Sequence, residues 1–136
     1  MTASVKLKIW RGDVAGGAFT DYTAEVEEGM VVLDLVHQVQ ATQAPDLAVR
    51  WNCKAGKCGS CSAEINGRPR LMCMTRVSDL PPGDPISIEP IQAFPVLKDL
   101  VTDVSSNFRA KLKIKKFKPR APDAPDGTWR MRFCSA

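Results

Sequence analysis

The stretch RWNCKAGKCGSCSAEINGRPRLMC, residues 50–73, carries four of the chain's five cysteines. They stand at Cys53, Cys58, Cys61 and Cys73, a spacing of C-x4-C-x2-C-x11-C. Between the third and the fourth lies Asn66-Gly67. That pair accepts left-handed backbone and turns one strand back on another. Residues 62–65 and 71–75 read as the two strands of this hairpin. Its second strand would deliver Cys73 to the far side of the loop from 53 to 61, so that four thiols converge.

Thiolates are soft ligands, and the C-x4-C-x2-C spacing is the one by which plant-type loops clasp two irons and two sulfides. Such a loop must bring its backbone close to the inorganic sulfides. Gly56 and Gly59 permit that approach and the positive φ angles it requires. Amide N–H groups aimed at the sulfur atoms would stabilise an added electron. Lys54, Lys57 and Arg50 surround the loop. As fixed cations they would favour the more negative, reduced state and raise the potential above the roughly −400 mV of plant-type centres; as solvated surface charges they would do little. The alternative metal is zinc in a four-cysteine structural site, although such sites favour two short C-x2-C pairs and only Cys58 and Cys61 form one.

Outward from the loop, Val5, Leu7 and Ile9 alternate with Lys6 and Lys8, the pattern of a half-buried strand. A turn containing Gly12, Gly16 and Gly17 leads to a second alternating run around Tyr22, Ala24 and Val26. Residues 30–43 place Val32, Leu35, Val36 and Val39 at helical spacing, and Pro45 closes the helix. Short strands are expected at 47–51 and 86–89, the latter after the breaks at Pro81, Pro82, Gly83 and Pro85. Strand–strand–helix–strand–hairpin–strand is the order of an α+β, β-grasp sheet folded over one helix. This ferredoxin-like domain is placed at residues 1–92. Residues 93–136 read as a helical, basic connector, with Leu97, Leu100, Val101, Val104 and Phe108 on one helix face, then a loose stretch holding Pro119, Pro122 and Pro125.

Charge divides the chain in the same way. Residues 1–108 hold ten Lys/Arg against thirteen Asp/Glu, whereas residues 109–136 hold nine against two. Lys111, Lys113, Lys115, Lys116 and Lys118 have only Phe117 interleaved and no recognition module around them, which argues against nucleic acid. A solvated face, or one docking an acidic partner or anionic surface, fits the run better. No apolar run approaches the roughly 20 residues needed to cross a bilayer, and the N-terminus lacks the apolar centre of a signal peptide. A disulfide scaffold is therefore not expected, and metal binding leads. No serine–histidine–acid or paired-carboxylate arrangement stands out, so no catalytic residues are expected. His37, the one histidine, reads as a surface or core-edge residue, and Cys134 as a terminal cysteine without a metal role.

The run from Arg50 to Cys73 closely resembles the iron–sulfur subunit of succinate dehydrogenase and fumarate reductase. The short return to the fourth cysteine separates that family from plant-type ferredoxins. The resemblance extends to LKIWR at residues 7–11, VVLDLVH at 31–37 and FPVLKDLVTD at 94–103, and covers roughly residues 3–130. It implies that Cys53, Cys58, Cys61 and Cys73 are the ligands of a 2Fe-2S cluster; some members have Asp at the third position, which is Cys61 here. It further implies an oxidoreductase subunit that relays single electrons from an FAD-bearing flavoprotein subunit towards quinone. A cytoplasmic setting at the inner face of the membrane, beside a membrane anchor subunit, comes from the same resemblance. The family's second domain, which holds 3Fe-4S and 4Fe-4S clusters, has no counterpart in these residues. A freestanding soluble ferredoxin and a zinc-binding interaction module are the competing functions.

Overall fold

A computed structural model describes residues 3–118; Cys134, Pro119, Pro122 and Pro125 lie outside them. Strands β1 (Ala3–Asp13) and β2 (Gly16–Val26) form an antiparallel hairpin in unbroken register, from Ala3 opposite Val26 to Asp13 opposite Gly16. Alternation decides which face turns inward: Leu7 and Ile9 are fully buried while Lys6 and Lys8 are exposed.

Helix α1 (Val32–Thr42) comes next and buries Val32, Leu33, Leu35, Val36 and Val39. Asp34 starts it by accepting the Val31 N–H at 3.0 Å, closing the first turn. The hairpin of β3 (Ser62–Ile65) and β4 (Arg68–Leu71) turns through Asn66 and Gly67, both at positive φ as that turn demands. Strand β5 (Ile86–Pro90) runs antiparallel to β3 and parallel to β1, with Leu7 opposite Ile86. The expected α+β, β-grasp architecture is present: one mixed sheet in the order β4-β3-β5-β1, continuing to β6 (Val96–Lys98) and β7 (Val101–Thr102), with β2 paired to β1. Leu7, Ile9, Ala63, Ile65, Ile86 and Ile88 of the sheet meet the buried face of α1 in one core.

Three local expectations are corrected. The second hairpin strand ends at Leu71, so Cys73 sits in a turn after it. The turn forms because the otherwise orphaned first amides of α1 take its carbonyls: Val32 N–H donates to Thr75 and Leu33 N–H to Met72. Residues 47–51 form no ladder; Ala48 accepts a single backbone bond, from Leu100, and its own N–H goes to the Asp99 carboxylate. The helix expected from Phe94 is instead β6, a turn with Asp99 at φ +48°, and β7. Helix α2 (Ser105–Lys113) begins only at Ser105. Leu97 is exposed, Leu100 buried and Phe108 exposed, so these apolar residues share no face.

A first compact unit runs from Met1 to Val104 and includes β6 and β7; a second begins at Ser105. The second unit is basic along its described length, with Phe108, Leu112, Ile114 and Phe117 exposed among its cations. None of the helices among the described residues is long and apolar enough to cross a membrane.

Candidate metal centre

The residues between Cys53 and Cys61 make no helix or strand, and their shape comes from left-handed backbone at three points. Lys54, Gly56 and Gly59 have φ of +53°, +66° and +71°. Glycine adopts this conformation freely, whereas Lys54 does so at a cost. Its ammonium lies 4.7 Å from the centroid of the Trp51 ring, a cation–π contact that offsets part of that cost.

Folded this way, the loop turns its amides inward. The N–H groups of Ala55, Lys57 and Cys58 all point at Cys53 Sγ, at 3.4, 3.3 and 3.3 Å. Three donors on one sulfur favour its thiolate, and they hold the Cys53 thiol below its ordinary pKa. Cys58 Sγ lies 2.9 Å from Ser60 Oγ and accepts the Ser60 N–H at 3.5 Å. The Ser60 hydroxyl and amide together bring Cys58 down to about 6, so in the metal-free chain it is largely thiolate at neutral pH.

The other two cysteines are built differently. Cys61 leads directly into β3, its carbonyl accepting Met72 N–H at 3.1 Å across the hairpin mouth. Cys73 stands one residue later, in the turn anchored by α1. Cys61 is 4% exposed and Cys73 7%. Burial pushes the Cys61 thiol up, opposite to the shift at Cys53 and Cys58.

The structure thus places the four cysteines in two settings, Cys53 and Cys58 in the outer loop and Cys61 and Cys73 at the root of the hairpin. In the outer two the Cys58 N–H donates to Cys53 Sγ at 3.3 Å, while Cys61 and Cys73 both belong to the buried core. All four thiols are free. Among the described residues no three His, Cys, Asp or Glu side chains converge tightly enough to hold one metal ion. Two pairs of thiols could each serve one of two bridged irons, whereas a lone zinc would need the pairs drawn together around it. The donor set, its inward amides and the partly buried setting fit a 2Fe-2S group.

His37 stands apart from this set. Its ring packs edge-on against Trp51 at 5.0 Å, and its Nε2 is buried without a hydrogen-bond partner. Burial, then the charge of Lys54, lowers its pKa and keeps it neutral. Of the expected cations, Arg50 is not a free surface charge: it donates to the Thr102 carbonyl at 3.0 Å.

Two contributors escaped the sequence reading. Ser60 is legible in retrospect as a hydroxyl between Gly59 and Cys61. Asp99 is not, because its partners are remote. Its carboxylate, on a residue 2% exposed, accepts Arg11 Nε and Gly12 N–H at 3.0 Å and Ala48 N–H at 2.9 Å. Arg11 also binds Tyr22 and Asp46. This hub ties the end of β1 to the segment that leads into Cys53.

Comparison with known proteins agrees with the geometry. The family described as "2Fe-2S iron-sulfur cluster binding domain" matches residues 6–109. The "Fumarate reductase iron-sulfur subunit" of Mycobacterium tuberculosis is 38% identical over 115 residues, which are 82% of this chain and 46% of that protein. The "Succinate dehydrogenase iron-sulfur subunit" of Coxiella burnetii is 31% identical over 72% of this chain and 40% of its own length. Among solved structures, a chain of the "Mycobacterium smegmatis Sdh1 complex in the apo form" superposes with a TM-score of 0.85 at 58% identity, covering 92% of this chain and 52% of that one. The chain therefore spans about half the length of the relatives it matches.

Proposed function

Because the chain belongs to the 2Fe-2S iron–sulfur cluster binding domain family, we propose that Cys53, Cys58, Cys61 and Cys73 hold its cluster and that it serves as the electron-transfer part of a succinate dehydrogenase or fumarate reductase complex. The observation that carries this reading is the loop that turns three backbone amides onto Cys53 Sγ and Ser60 onto Cys58 Sγ, with Cys61 and Cys73 buried behind it. The likeness at 58% identity to a chain of an Sdh1 complex supports the choice of complex. When bound, a 2Fe-2S cluster supplies a centre that gains and loses one electron at a time.

The chain's own residues do the rest. The amides of Ala55, Lys57 and Cys58 donate to Cys53 Sγ and stabilise negative charge there. Ser60 does the same for Cys58. Core packing around Cys61 and Cys73 excludes water from the inner side, while exposed Cys58 leaves an outer edge through which a redox partner can approach closely. Lys54 and Lys57 add positive charge along that edge and favour the reduced state. The FAD-bearing subunit would supply electrons from succinate, or take them in the reverse reaction, and the path would continue towards quinone at the inner face of the membrane. Residues 1–92 are the electron-transfer domain in this reading, completed by β6 and β7 within the compact unit that ends at Val104, and the residues beyond connect it to the remainder of the complex.

Anaerobic purification with iron and acid-labile sulfide analysis, and EPR before and after dithionite, tests the cluster. About two irons and two sulfides per chain, with a rhombic signal only on reduction, is the expected result. Zinc without sulfide would overturn it. Reduction of the loaded chain by succinate, only when a flavoprotein subunit of the complex is present, tests the assignment to the complex. Reduction at equal rates by unrelated flavoproteins would favour a freestanding ferredoxin.

A further inference from the structure

Met74 stands directly after the last cysteine and has a long apolar side chain, yet it is 59% exposed. It does not hang free in solvent. A Cβ built on Gly56 would meet Met74 Cγ at 2.9 Å, Sδ at 3.1 Å and Cε at 3.7 Å. Three consecutive side-chain atoms therefore lie along the bare face of a glycine at the midpoint between Cys53 and Cys58. Gly59, the other glycine of the loop, has nothing in that position.

The residues on either side of Gly56, Ala55 and Lys57, supply two of the three amides that donate to Cys53 Sγ. These bonds are 3.3–3.4 Å long and close no helix or ladder, so outside packing must keep the loop in shape. At Lys54 that packing is the Trp51 ring, 45% exposed. At Gly56 it is Met74. The turn that carries Met74 is in turn fixed by α1, through Leu33 N–H on Met72 and Val32 N–H on Thr75.

We propose that Met74 is a positioning residue for the centre: laid across Gly56, it holds the amides of the outer loop on Cys53 and so helps set the stability of the reduced state. An unbranched, polarisable thioether suits a shallow glycine face that a β-branched side chain could not follow. Methionine here is thus a functional choice at a position whose exposure alone would suggest any polar residue. The inference rests on the ligand assignment made above.

The test compares the full chain with Met74→Ala and Met74→Leu. Amide hydrogen exchange on the metal-free proteins is read over residues 54–58, with β1 and β5 as internal reference. Met74→Ala should speed exchange in the loop by on the order of tenfold and leave the two strands unchanged, and Met74→Leu should restore most of the protection. After cluster reconstitution, the midpoint potential of Met74→Ala should lie below that of the unaltered chain, because loosened amides stabilise the added electron less. Unchanged exchange, or a potential that stays put or rises, would overturn the proposal, as would equal effects of Met74→Leu and Met74→Ala. Should Met74→Ala fail to load iron while the reference strands keep their protection and Met74→Leu loads normally, the positioning role is upheld. Iron and sulfide content of the unaltered chain separately checks the ligand assignment, so failure of one reading is distinguishable from failure of the other.

Discussion

Cys53 and Cys58 on one side, and Cys61 and Cys73 on the other, come from one short stretch of chain, yet they are held by opposite means. The outer pair lies in an irregular loop, where hydrogen bonds from Ala55, Lys57, Cys58 and Ser60 favour the thiolate form. The inner pair lies at the root of a hairpin, in the core, where burial raises the Cys61 thiol. The outer half of such a centre is made by what donates to the sulfur, the inner half by what keeps water from it. A one-electron site needs both: an edge open to a partner, and a rigid interior that reorganises little.

Removing the proposed ligands should break this comparison most. Cys73→Ala is expected to abolish bound iron and sulfide, since alanine offers no donor atom and the site is 7% exposed. Cys58→Ser should keep a substantial part of both, because its site is exposed and a serine oxygen can stand in. Metal and sulfide analysis of the two variants decides it; equal losses would dissolve the distinction between the pairs.

Alkylation of the reduced, metal-free chain sharpens the same contrast. Iodoacetamide should label Cys58 with a pH midpoint near 6, while Cys61 stays protonated past the ordinary thiol value of 9.0. At pH 7.5 this should separate their rates by at least about tenfold, read by peptide mass spectrometry. The same shift gives stability a definite sign. Between about 6 and 9 the unfolded chain binds more protons at Cys58 than the folded one. This thiolate's contribution is therefore complete above the unfolded value and is lost as pH falls through about 6.

A smaller effect is expected at Asp99→Asn. Asparagine keeps the left-handed backbone but not the charge that gathers Arg11, Gly12 and Ala48. Urea unfolding should show a loss of about 1–3 kcal/mol. Smallest of all are the changes at the Trp51–Lys54 clamp. Trp51→Leu should cost about 1 kcal/mol through the lost cation–π contact and ring packing. Lys54→Gly should fall within about 0.5 kcal/mol of the unaltered chain, as relief of the strained backbone offsets the lost contact.

The cysteine loop and the two hairpins were legible because their signals are local. Spacing gave the ligand candidates, Asn66-Gly67 the turn, and alternation at Leu7 and Ile9 the buried face. Helix α1 was legible for the same reason, its apolar spacing matching its period. Residues 94–104 were not. Leu97, Leu100, Val101 and Val104 fit a helix as a string of letters, but Asp99 finds partners 51, 87 and 88 residues away, and these overrule local periodicity. Cys73 was misplaced by two residues for a related cause: the amides that fold its turn belong to α1, some forty residues earlier. The four cysteines could be counted in the string of letters, whereas the contrast between an outer two and a buried two depended on tertiary packing.

The parallel pairing of β5 with β1 places the closing strand of the sheet after all four paired cysteines in chain order. Asp99 and the β6–β7 turn come later still. A polypeptide emerges from the ribosome N-terminus first, so all four thiols leave the tunnel before β5 and the Asp99 turn can take their places in the sheet. The strand order therefore leaves the sheet open until every cysteine of the loop has been passed.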